Sequence, residues 1–381
     1  MNKIAHFGTF DVNNYGDLLF PHIAEYRLPI YKWEHISPTN NKTIFEDSKP
    51  IISFKYGSKK KYKALVVGGG NILHLMENKN TVYKNSFGFA YADLWIGVAK
   101  MAMTQKIPYV FNAPGVSRSI SSSLLKKLAL LTFENSNYVA FREKLSLEII
   151  EKIRLNDSKK YFKKYSIVPD TAFDISKMWP LPTKSNKEEY ICVNLNERYH
   201  QPINETAKYL DKISFELKMP VKLIIIGDCH GDFDFTNQVS RKMKSDYEII
   251  KSDGLKKLAH VIGYSNYFLG SSMHGFITAL SYNVPSFLVL KSKPLHKFVG
   301  LLDITKLNER VICQSFKEVL NSLNTPAILS ISVKEKIHSD LDIHWGKIDN
   351  IINEGKTNRF SFKVFYYKLL LKMQLKYQKL K

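Results

Sequence analysis

Short apolar runs alternate with helical patterns in two halves of this chain, and that alternation constrains the fold more than any other feature. The first series runs from residue 3 to about 176. A linker follows at 179–189, WPLPTKSNKEE, where two prolines and a cluster of charges interrupt the pattern. The second series contains strand patterns at 190–196, 221–227, 247–250, 266–270 and 286–290. Two such series predict an α/β fold in which two doubly wound, Rossmann-like domains face a cleft.

The linker sets the expected domain boundaries. We predict a first domain at 1–178, a second domain at 187–336, and a helical, basic C-terminal segment at 337–381. The start of the chain leads straight into a strand pattern, so we expect no signal peptide. Three widely spaced cysteines indicate a reducing cytoplasm, and Cys229-His230 offers too few ligands for zinc.

The segment FLGSSMHGFITAL (268–280) reads as a strand that delivers His274 to the start of a helix. Free N–H groups at a helix start favour an anion, and the hydroxyls of Ser271 and Ser272 add donors beside them. Histidine is well suited to proton transfer near neutral pH. The segment therefore predicts an anion site with a proton donor, and the alternative is a structural histidine at a turn.

Other polar residues and glycines also follow predicted strands. Asn14 and Asp17 come after the first strand, and Gly69, Gly70 and Asn71 come after ALVVG. Two further candidates, Arg142 and Asp170, are likewise placed at strand ends. Because ligands bind at the carboxyl ends of parallel strands, we expect these groups to line one cleft.

Five short motifs occur in a defined order from about residue 4 to about residue 300: Gly8 with Asn14-Tyr15-Gly16-Asp17, Val66-Val67-Gly68-Gly69-Gly70, Phe141-Arg142-Glu143 with Ser146, Val168-Pro169-Asp170, and Met273-His274-Gly275 with Ala279. With these motifs the chain resembles the polysaccharide pyruvyltransferases. The resemblance implies a GT-B-like fold with the acceptor on the first domain. It also implies transfer of a pyruvyl group from phosphoenolpyruvate to a sugar diol, as a ketal on a cell-surface polysaccharide or its lipid-linked precursor.

The resemblance also implies roles for individual residues. His274 suits the acid or the phosphate contact, and Arg142 suits a carboxylate or phosphate, although Arg142 can instead pair with a neighbouring glutamate. Many members carry arginine where this chain has Ser272. The candidates to replace that arginine are Lys291, Lys293 and Lys297. Asn14, Asp17 and Asp170 are candidates to orient sugar hydroxyls, and the first two can alternatively cap a helix. The scheme requires no metal and no cofactor besides the donor substrate.

Two other functions fit the same features. The first is a GT-B glycosyltransferase with a nucleotide-sugar donor, in which Asp228 or Asp253 would hold the ribose. The second is a non-enzymatic, membrane-bound scaffold of polysaccharide assembly, for which the basic C-terminal segment is the main support. The polar cluster at the strand ends argues against a scaffold.

The net charge of +21 indicates acidic partners. Lysines are spread over most of the chain and no nucleic-acid-binding motif is present, so we expect no nucleic-acid partner. Residues 356–381 contain eight basic residues and no acidic ones, interleaved with apolar residues. That pattern suits an anionic membrane surface and predicts a cytoplasmic protein that binds peripherally to the inner face of the membrane. The alternative is a terminal helix packed on the first domain.

Overall fold

The computed structural model describes residues 2–73, 83, 90–116, 123–155, 165–183, 188–227, 231–251, 253–292 and 296–357. Within this part of the chain the fold contains a seven-stranded sheet and a six-stranded sheet, and every strand pair is parallel. The prediction of an α/β fold with two doubly wound halves is confirmed.

The first sheet has the strand order β3-β2-β1-β4-β5-β6-β7. Its strands are Lys3–Phe7 (β1), Lys32–Ser37 (β2), Ile51–Ser53 (β3), Ala64–Gly68 (β4), Tyr109–Asn112 (β5), Tyr138–Phe141 (β6) and Ser166–Ile167 (β7). The α-helices of this half are Tyr15–Arg27 (α1), Phe54–Gly57 (α2), Ala90–Ala92 (α3), Val98–Gln105 (α4), Ser123–Asn135 (α5), Lys144–Leu155 (α6) and Ile175–Met178 (α7). A π-helical turn, Asp93–Gly97, joins α3 to α4, and a 3-10 turn, Thr171–Asp174, precedes α7.

The second sheet has the strand order β10-β9-β8-β11-β12-β13. Its strands are Ile191–Asn194 (β8), Val221–Ile224 (β9), Tyr247–Ile250 (β10), Tyr267–Gly270 (β11), Ser286–Val289 (β12) and Ile312–Cys313 (β13). The α-helices that follow the linker are Ile203–Leu217 (α8), Asp232–Ser240 (α9), Leu255–Tyr264 (α10), Met273–Ser281 (α11), His296–Thr305 (α12), Phe316–Asn321 (α13) and Ile331–Glu354 (α14). A 3-10 turn, Glu309–Val311, precedes β13.

The central strands are apolar along their whole length because both faces of each sheet are covered. In β4, Val66 faces one hydrophobic core, whereas Leu65 and Val67 face another. The same alternation occurs in β8, where Cys192 and Val193 point to different cores. Side chains in a strand point to opposite faces in turn, so a buried parallel strand reads as a continuous apolar run.

Each sheet has a switch point, where the direction of winding reverses. In the first sheet it lies between β1 and β4, and in the second it lies between β8 and β11. The loops after two neighbouring strands diverge at a switch point and leave a crevice at the carboxyl ends of the strands. The loops after β1, β4, β8 and β11 therefore mark the expected ligand sites.

The two halves of the chain touch directly, and one contact joins α1 to α11, the helices that follow the switch-point strands β1 and β11. The backbone N–H of Tyr15 donates to the carbonyl of Ile226 at 2.8 Å, and the Tyr15 hydroxyl lies 3.1 Å from the Thr278 hydroxyl. Asp47 of the first half caps α10 of the second half, since its carboxylate accepts from the N–H groups of Leu255 at 2.7 Å and Lys256 at 3.0 Å. A trans cap of this kind satisfies helix donors that Gly254 has no side chain to satisfy.

The last described helix, α14, returns to the first half of the chain. His344 of α14 is buried, with Nε2 2.8 Å from the Asn112 side-chain oxygen and Nδ1 3.0 Å from the Tyr138 hydroxyl. Arg27 of α1 bonds Asp174 and also Asp342 of α14. The helix begins at Ile331, inside the range that the sequence assigns to the second domain, and it contacts Asn112 and Tyr138 in the first half.

Buried histidines give the fold a stability that depends on pH. Burial lowers the pKa of His344 and of His6 to about 3, and that of His200 to about 4, from an ordinary value of 6.5. The charges of Lys347 and Arg27 act in the same direction on His344. The unfolded chain therefore binds more protons than the folded chain between about pH 6.5 and pH 4, and stability falls as the pH drops through that window.

We predict that the free energy of unfolding decreases by up to about 1.4 kcal/mol per pH unit for each buried neutral histidine below pH 6.5. Urea unfolding at a series of pH values between 7.5 and 4.5 measures this slope. The variant His344→Gln should show a shallower slope, because glutamine can still bond Asn112 and does not titrate. A slope equal to that of the wild type would exclude His344 as a contributor.

Candidate active site at the facing switch points

His274 projects from the first turn of α11 toward the first half of the chain. Ser272 caps this helix, since its hydroxyl oxygen accepts from the N–H of Gly275 at 3.1 Å. The imidazole is 12% exposed and meets the Phe20 ring edge-to-face, with centroids 5.5 Å apart. Its Nε2 atom is buried without a hydrogen-bond partner among the described residues. A buried imidazole nitrogen that makes no hydrogen bond within the described ranges has the capacity to bond a ligand.

Asp170 is the nearest carboxylate to that nitrogen. Its Oδ2 atom lies 3.6 Å from Nε2 of His274, which is beyond a normal hydrogen bond, and accepts from Nη1 of Arg142 at 3.0 Å. The other oxygen, Oδ1, accepts from the N–H of Ala172 at 3.0 Å and so caps the 3-10 turn. Asp170 is thus fixed at both oxygens and faces His274 in a set geometry.

Arg142 lies beneath this pair and is almost fully buried. Its Nε atom donates to Glu143 at 3.0 Å, in addition to the bond to Asp170. Glu143 in turn accepts from the Ser146 hydroxyl, which itself accepts from the N–H of Val116 at 2.8 Å. The glutamate pairing that the sequence left open for Arg142 is present, and it accompanies a second bond to Asp170.

These charges act on one another through a buried environment. Burial alone would raise the pKa of Asp170, but His274 and Arg142 outweigh it and lower that pKa to about 2. Burial acts to lower the pKa of Arg142, and the carboxylates of Glu143 and Asp170 raise it overall. Both groups therefore stay ionised at neutral pH, and Asp170 supplies a permanent negative charge beside His274.

Further charges face the same space. Burial raises the pKa of Asp17, and the positive charges of His274, Arg142 and Lys297 partly oppose that rise. Burial lowers the pKa of Lys297 to about 8, with help from the charges of Arg142 and Arg198. The ends of three strands from both sheets meet here, since Asp17 follows β1, Arg142 follows β6 and His274 follows β11.

The glycine turn after β4 packs against α1. Gly68, Gly69 and Gly70 all have positive φ angles, 135°, 80° and 73°, which glycine adopts without strain. A Cβ atom on Gly69 would lie 2.2 Å from the Phe20 ring, and one on Gly70 would lie 2.7 Å from Oδ1 of Asp17. Gly69 and Gly70 therefore allow two side chains of α1, those of Phe20 and Asp17, to approach the turn closely.

The remaining predicted residues occupy different surroundings. Asn14 caps α1, since its side-chain oxygen accepts from the N–H of Gly16 at 3.0 Å, and Ser271 is buried. The side-chain oxygen of Asn71 is buried without a partner among the described residues. Lys291 is exposed and its ammonium donates to the carbonyl of Glu197 at 3.0 Å. Lys293 lies outside the described residues.

Sequence reasoning missed three contributors to the cluster. Glu143 is one, because the sequence suggested it only as an alternative partner of Arg142 and not as part of the site. Arg198 is another. Its position in the loop after β8, a switch-point strand, could have indicated it. The third is Gly16, because a Cβ atom there would lie 1.8 Å from Nδ1 of His274. Nothing in the sequence indicates that contact, which joins two distant helices.

Behind the cluster, α12 packs closely on α6. A Cβ atom at Gly300 would lie 2.3 Å from Cβ of Glu143. The cavity between these helices, lined by Arg142, Asp170 and Lys297 among others, has a volume of about 10 Å³, enough for roughly one water molecule. This gap lies between the two halves of the chain and is too small for anything larger than a water molecule. Across the described ranges, no three His, Cys, Asp or Glu side chains come together in a way that could hold a metal ion.

Comparisons with known proteins fit this geometry. A model of the polysaccharide pyruvyl transferase family matches residues 14–291 of the 381. UDP-GlcNAc 2-epimerase from Methanocaldococcus jannaschii is similar in structure, with a TM-score of 0.51, 12% identity, and coverage of 90% of this chain and 99% of that chain. The MnaA–UDP structure from S. aureus has a TM-score of 0.53 and 12% identity, and covers 89% of this chain and 91% of that chain. The search of curated protein sequences gave no match.

A third solved structure, UDP-GlcNAc 2-epimerase from Neisseria meningitidis bound to UDP-GlcNAc, has a TM-score of 0.51 and 10% identity. It covers 99% of this chain and 100% of its own. Identities this low establish the fold alone. The fold is GT-B-like, as the sequence predicted.

We predict that Gly16→Ala abolishes most activity without unfolding the protein, because the added methyl group would displace the imidazole of His274. Turnover and thermal unfolding measured together test this. The matched control is Gly346→Ala in α14, where a Cβ atom has nothing within 4 Å. That control should keep full activity and gain about 0.5–1 kcal/mol of stability from the better helix former. Full activity in Gly16→Ala would contradict the close contact between Gly16 and His274.

Proposed function

The chain belongs to the polysaccharide pyruvyl transferase family, and on that premise we propose that it transfers a pyruvyl group from phosphoenolpyruvate to a sugar diol. The product is a cyclic ketal on a cell-surface polysaccharide or on its lipid-linked precursor. One observation carries the proposal. An imidazole nitrogen without a hydrogen-bond partner among the described residues lies 3.6 Å from an ionised carboxylate, and that carboxylate is bonded to the buried Arg142 at 3.0 Å.

His274 is the proposed general acid. The first step must add a proton to the methylene carbon of the enol phosphate, which leaves a cationic carbon beside the phosphate oxygen. The imidazole that gives up this proton lies 3.6 Å from Asp170, so it stands beside a fixed negative charge. Arg142 holds Asp170 in place, so we assign it a positioning role at least as much as a direct grip on substrate.

The donor carries a phosphate and a carboxylate, so its site must supply positive charge. Lys297 has a pKa of about 8 and is mostly protonated at neutral pH. Arg198 is exposed and its charge reaches Lys297. We propose that Lys297, with Arg198, supplies the positive charge that arginine supplies in many members at the position of Ser272. Lys291 is engaged with Glu197 and is the weaker candidate.

The reaction then balances without an oxidant or a metal. One acceptor hydroxyl oxygen attacks the carbon that bears the phosphate, the C–O bond to phosphate breaks, and the second hydroxyl oxygen closes the ring. The two hydroxyl protons replace the proton given to the methylene carbon and the proton that leaves with phosphate. Electrostatic stabilisation of the developing charges supplies most of the rate enhancement in sites of this kind.

We predict that His274→Gln lowers kcat by about a hundredfold to ten-thousandfold, the usual effect of losing a general acid. The readout is inorganic phosphate released from phosphoenolpyruvate in the presence of a panel of glycan acceptors. Thermal unfolding serves as the control for folding. A folded His274→Gln enzyme with wild-type turnover would show that the histidine is structural.

The same panel distinguishes the main alternative, a glycosyltransferase with a nucleotide-sugar donor. The carboxylate suggested for that role, Asp253, is largely exposed and pairs with Lys257 at 3.5 Å, and Asp228 lies outside the described residues. Incubation with nucleotide sugars instead of phosphoenolpyruvate should release no nucleotide. Release of nucleotide together with sugar transfer would replace the proposed donor.

We further propose a cytoplasmic enzyme that meets a lipid-linked acceptor at the membrane through residues 356–381. No helix in the described ranges has both the length and the apolar character needed to cross a bilayer. Residues beyond 357 lie outside the described part of the chain. The helix that precedes them, α14, ends at Glu354 and is capped by Gly355, whose N–H donates to the carbonyl of Ile351 at 3.1 Å.

Truncation after Gly355 should therefore remove salt-sensitive binding to anionic vesicles while sparing activity on a short soluble acceptor. Each basic residue near an anionic surface contributes about 1 kcal/mol, and salt screens that attraction. Vesicle co-sedimentation at low and high salt measures the binding. A truncated protein with a much lower melting temperature would show instead that the segment packs on the first domain, through contacts such as that of Asn137 with the Lys356 carbonyl at 2.8 Å.

A further inference from the structure

Two aspartates approach His274 from the first half of the chain, and they differ in how they are held. Asp170 has both oxygens bonded, to Arg142 and to the N–H of Ala172. Asp17 stands in the first turn of α1, and within the described ranges the hydroxyl of Thr9 is its hydrogen-bonding neighbour. Asp17 is therefore the carboxylate with bonding capacity left for a substrate.

The surroundings also shift the pKa values of the two aspartates in opposite directions. The pKa of Asp170 is lowered to about 2, whereas burial raises the pKa of Asp17 despite the positive charges that face it. Those charges come from His274 on α11, Arg142 after β6 and Lys297 on α12. Two carboxyl groups whose pKa values differ in this way allow one site to hold both a fixed negative charge and a proton acceptor.

Geometry places Asp17 beside the proposed acid. Its helix turn contains Gly16, at which a Cβ atom would meet Nδ1 of His274 at 1.8 Å. Its Oδ1 atom lies against Gly70, where a Cβ atom would come within 2.7 Å. The carboxyl group thus stands between the glycine turn of the first half and the imidazole of the second, at the edge of the sheet assigned to the acceptor.

We propose that Asp17 is the general base that takes the proton from the attacking acceptor hydroxyl. The inference rests on the proposed function and adds a step to it. The hydroxyl O–H bond breaks as its oxygen bonds to the carbon that bears the phosphate, and the proton moves to a carboxylate oxygen of Asp17. Asp17 then passes that proton to the departing phosphate or to solvent, so it is regenerated each turnover. Asp170 remains ionised throughout and positions His274.

The test compares Asp17→Asn with Asp17→Glu and Asp170→Asn in the full-length enzyme. Phosphoenolpyruvate binding is measured by calorimetry, and phosphate release is followed across pH with methyl glycosides that carry free diols. Asp17→Asn should bind phosphoenolpyruvate within about twofold of wild type and lose about a hundredfold to ten-thousandfold in kcat. The fall of kcat toward low pH, where the base becomes protonated, should disappear in that variant.

The other two variants show whether the carboxylate of Asp17 acts as a base or only supports the structure. Asp17→Glu should keep the fall toward low pH at a reduced kcat, and it decides the question if Asp17→Asn does not fold. Asp170→Asn removes the same charge from the site but should keep that fall, because Asp170 stays ionised over the range. Wild-type kcat in Asp17→Asn, an unchanged kcat and pH profile in Asp17→Glu, or loss of phosphoenolpyruvate binding in Asp17→Asn would each overturn the assignment.

Failure of the proposed function looks different. In that case the wild-type enzyme itself would release no phosphate from phosphoenolpyruvate with any acceptor, and the assignment of Asp17 would fall with it. If the wild-type enzyme turns over and Asp17→Asn is equally active, the proposed function stands and only the assignment of Asp17 as the base is wrong.

Discussion

The contact between the first turns of α1 and α11 holds the site together. The backbone of Gly16 approaches His274 so closely that no side chain fits between them, and the Tyr15 hydroxyl lies 3.1 Å from that of Thr278 in the next turn of α11. One helix belongs to each half of the chain. The proposed acid and its carboxylate neighbours therefore come from different domains, and the acid–base pair exists only where these helices abut. A shift of either helix by about 1 Å would separate groups whose chemistry depends on near contact.

Charge balance explains why so many ionised groups tolerate burial in this joint. Three cationic or ionisable basic groups, His274, Arg142 and Lys297, stand near the carboxylates of Asp17 and Asp170 and that of Glu143. Isolated buried charges are costly, and pairing with hydrogen bonds offsets that cost. The balance is not uniform, because Asp170 and Glu143 hold Arg142 while Lys297 has a lowered pKa and no comparable bond among the described residues. An anionic substrate would balance the positive charge of Lys297.

Much of this arrangement could be predicted from the sequence, because parallel strands end at one edge of a sheet. That rule alone assigns His274, Arg142, Asp17 and Asp170 to the cleft. It could not give the bond between Arg142 and Asp170 or the contact of Gly16 with His274, since these depend on how loops and domains meet in three dimensions. The glycines after β4 show the same limit. A glycine indicates a close approach, but only the structure shows that Phe20 and Asp17 make it.

The return of α14 to the first half has a consequence for synthesis on the ribosome. His344 fills a position against Asn112 and Tyr138, which are translated more than two hundred residues earlier. Until α14 emerges, the first half carries an uncovered patch at that place, so its folding during translation ends in an incomplete surface. The final structure then forms only when α14 docks. A chain without α14 would leave the Asn112 side chain and the Tyr138 hydroxyl without their bonds to His344, and would uncover the part of the core that Trp345 and Ile348 cover.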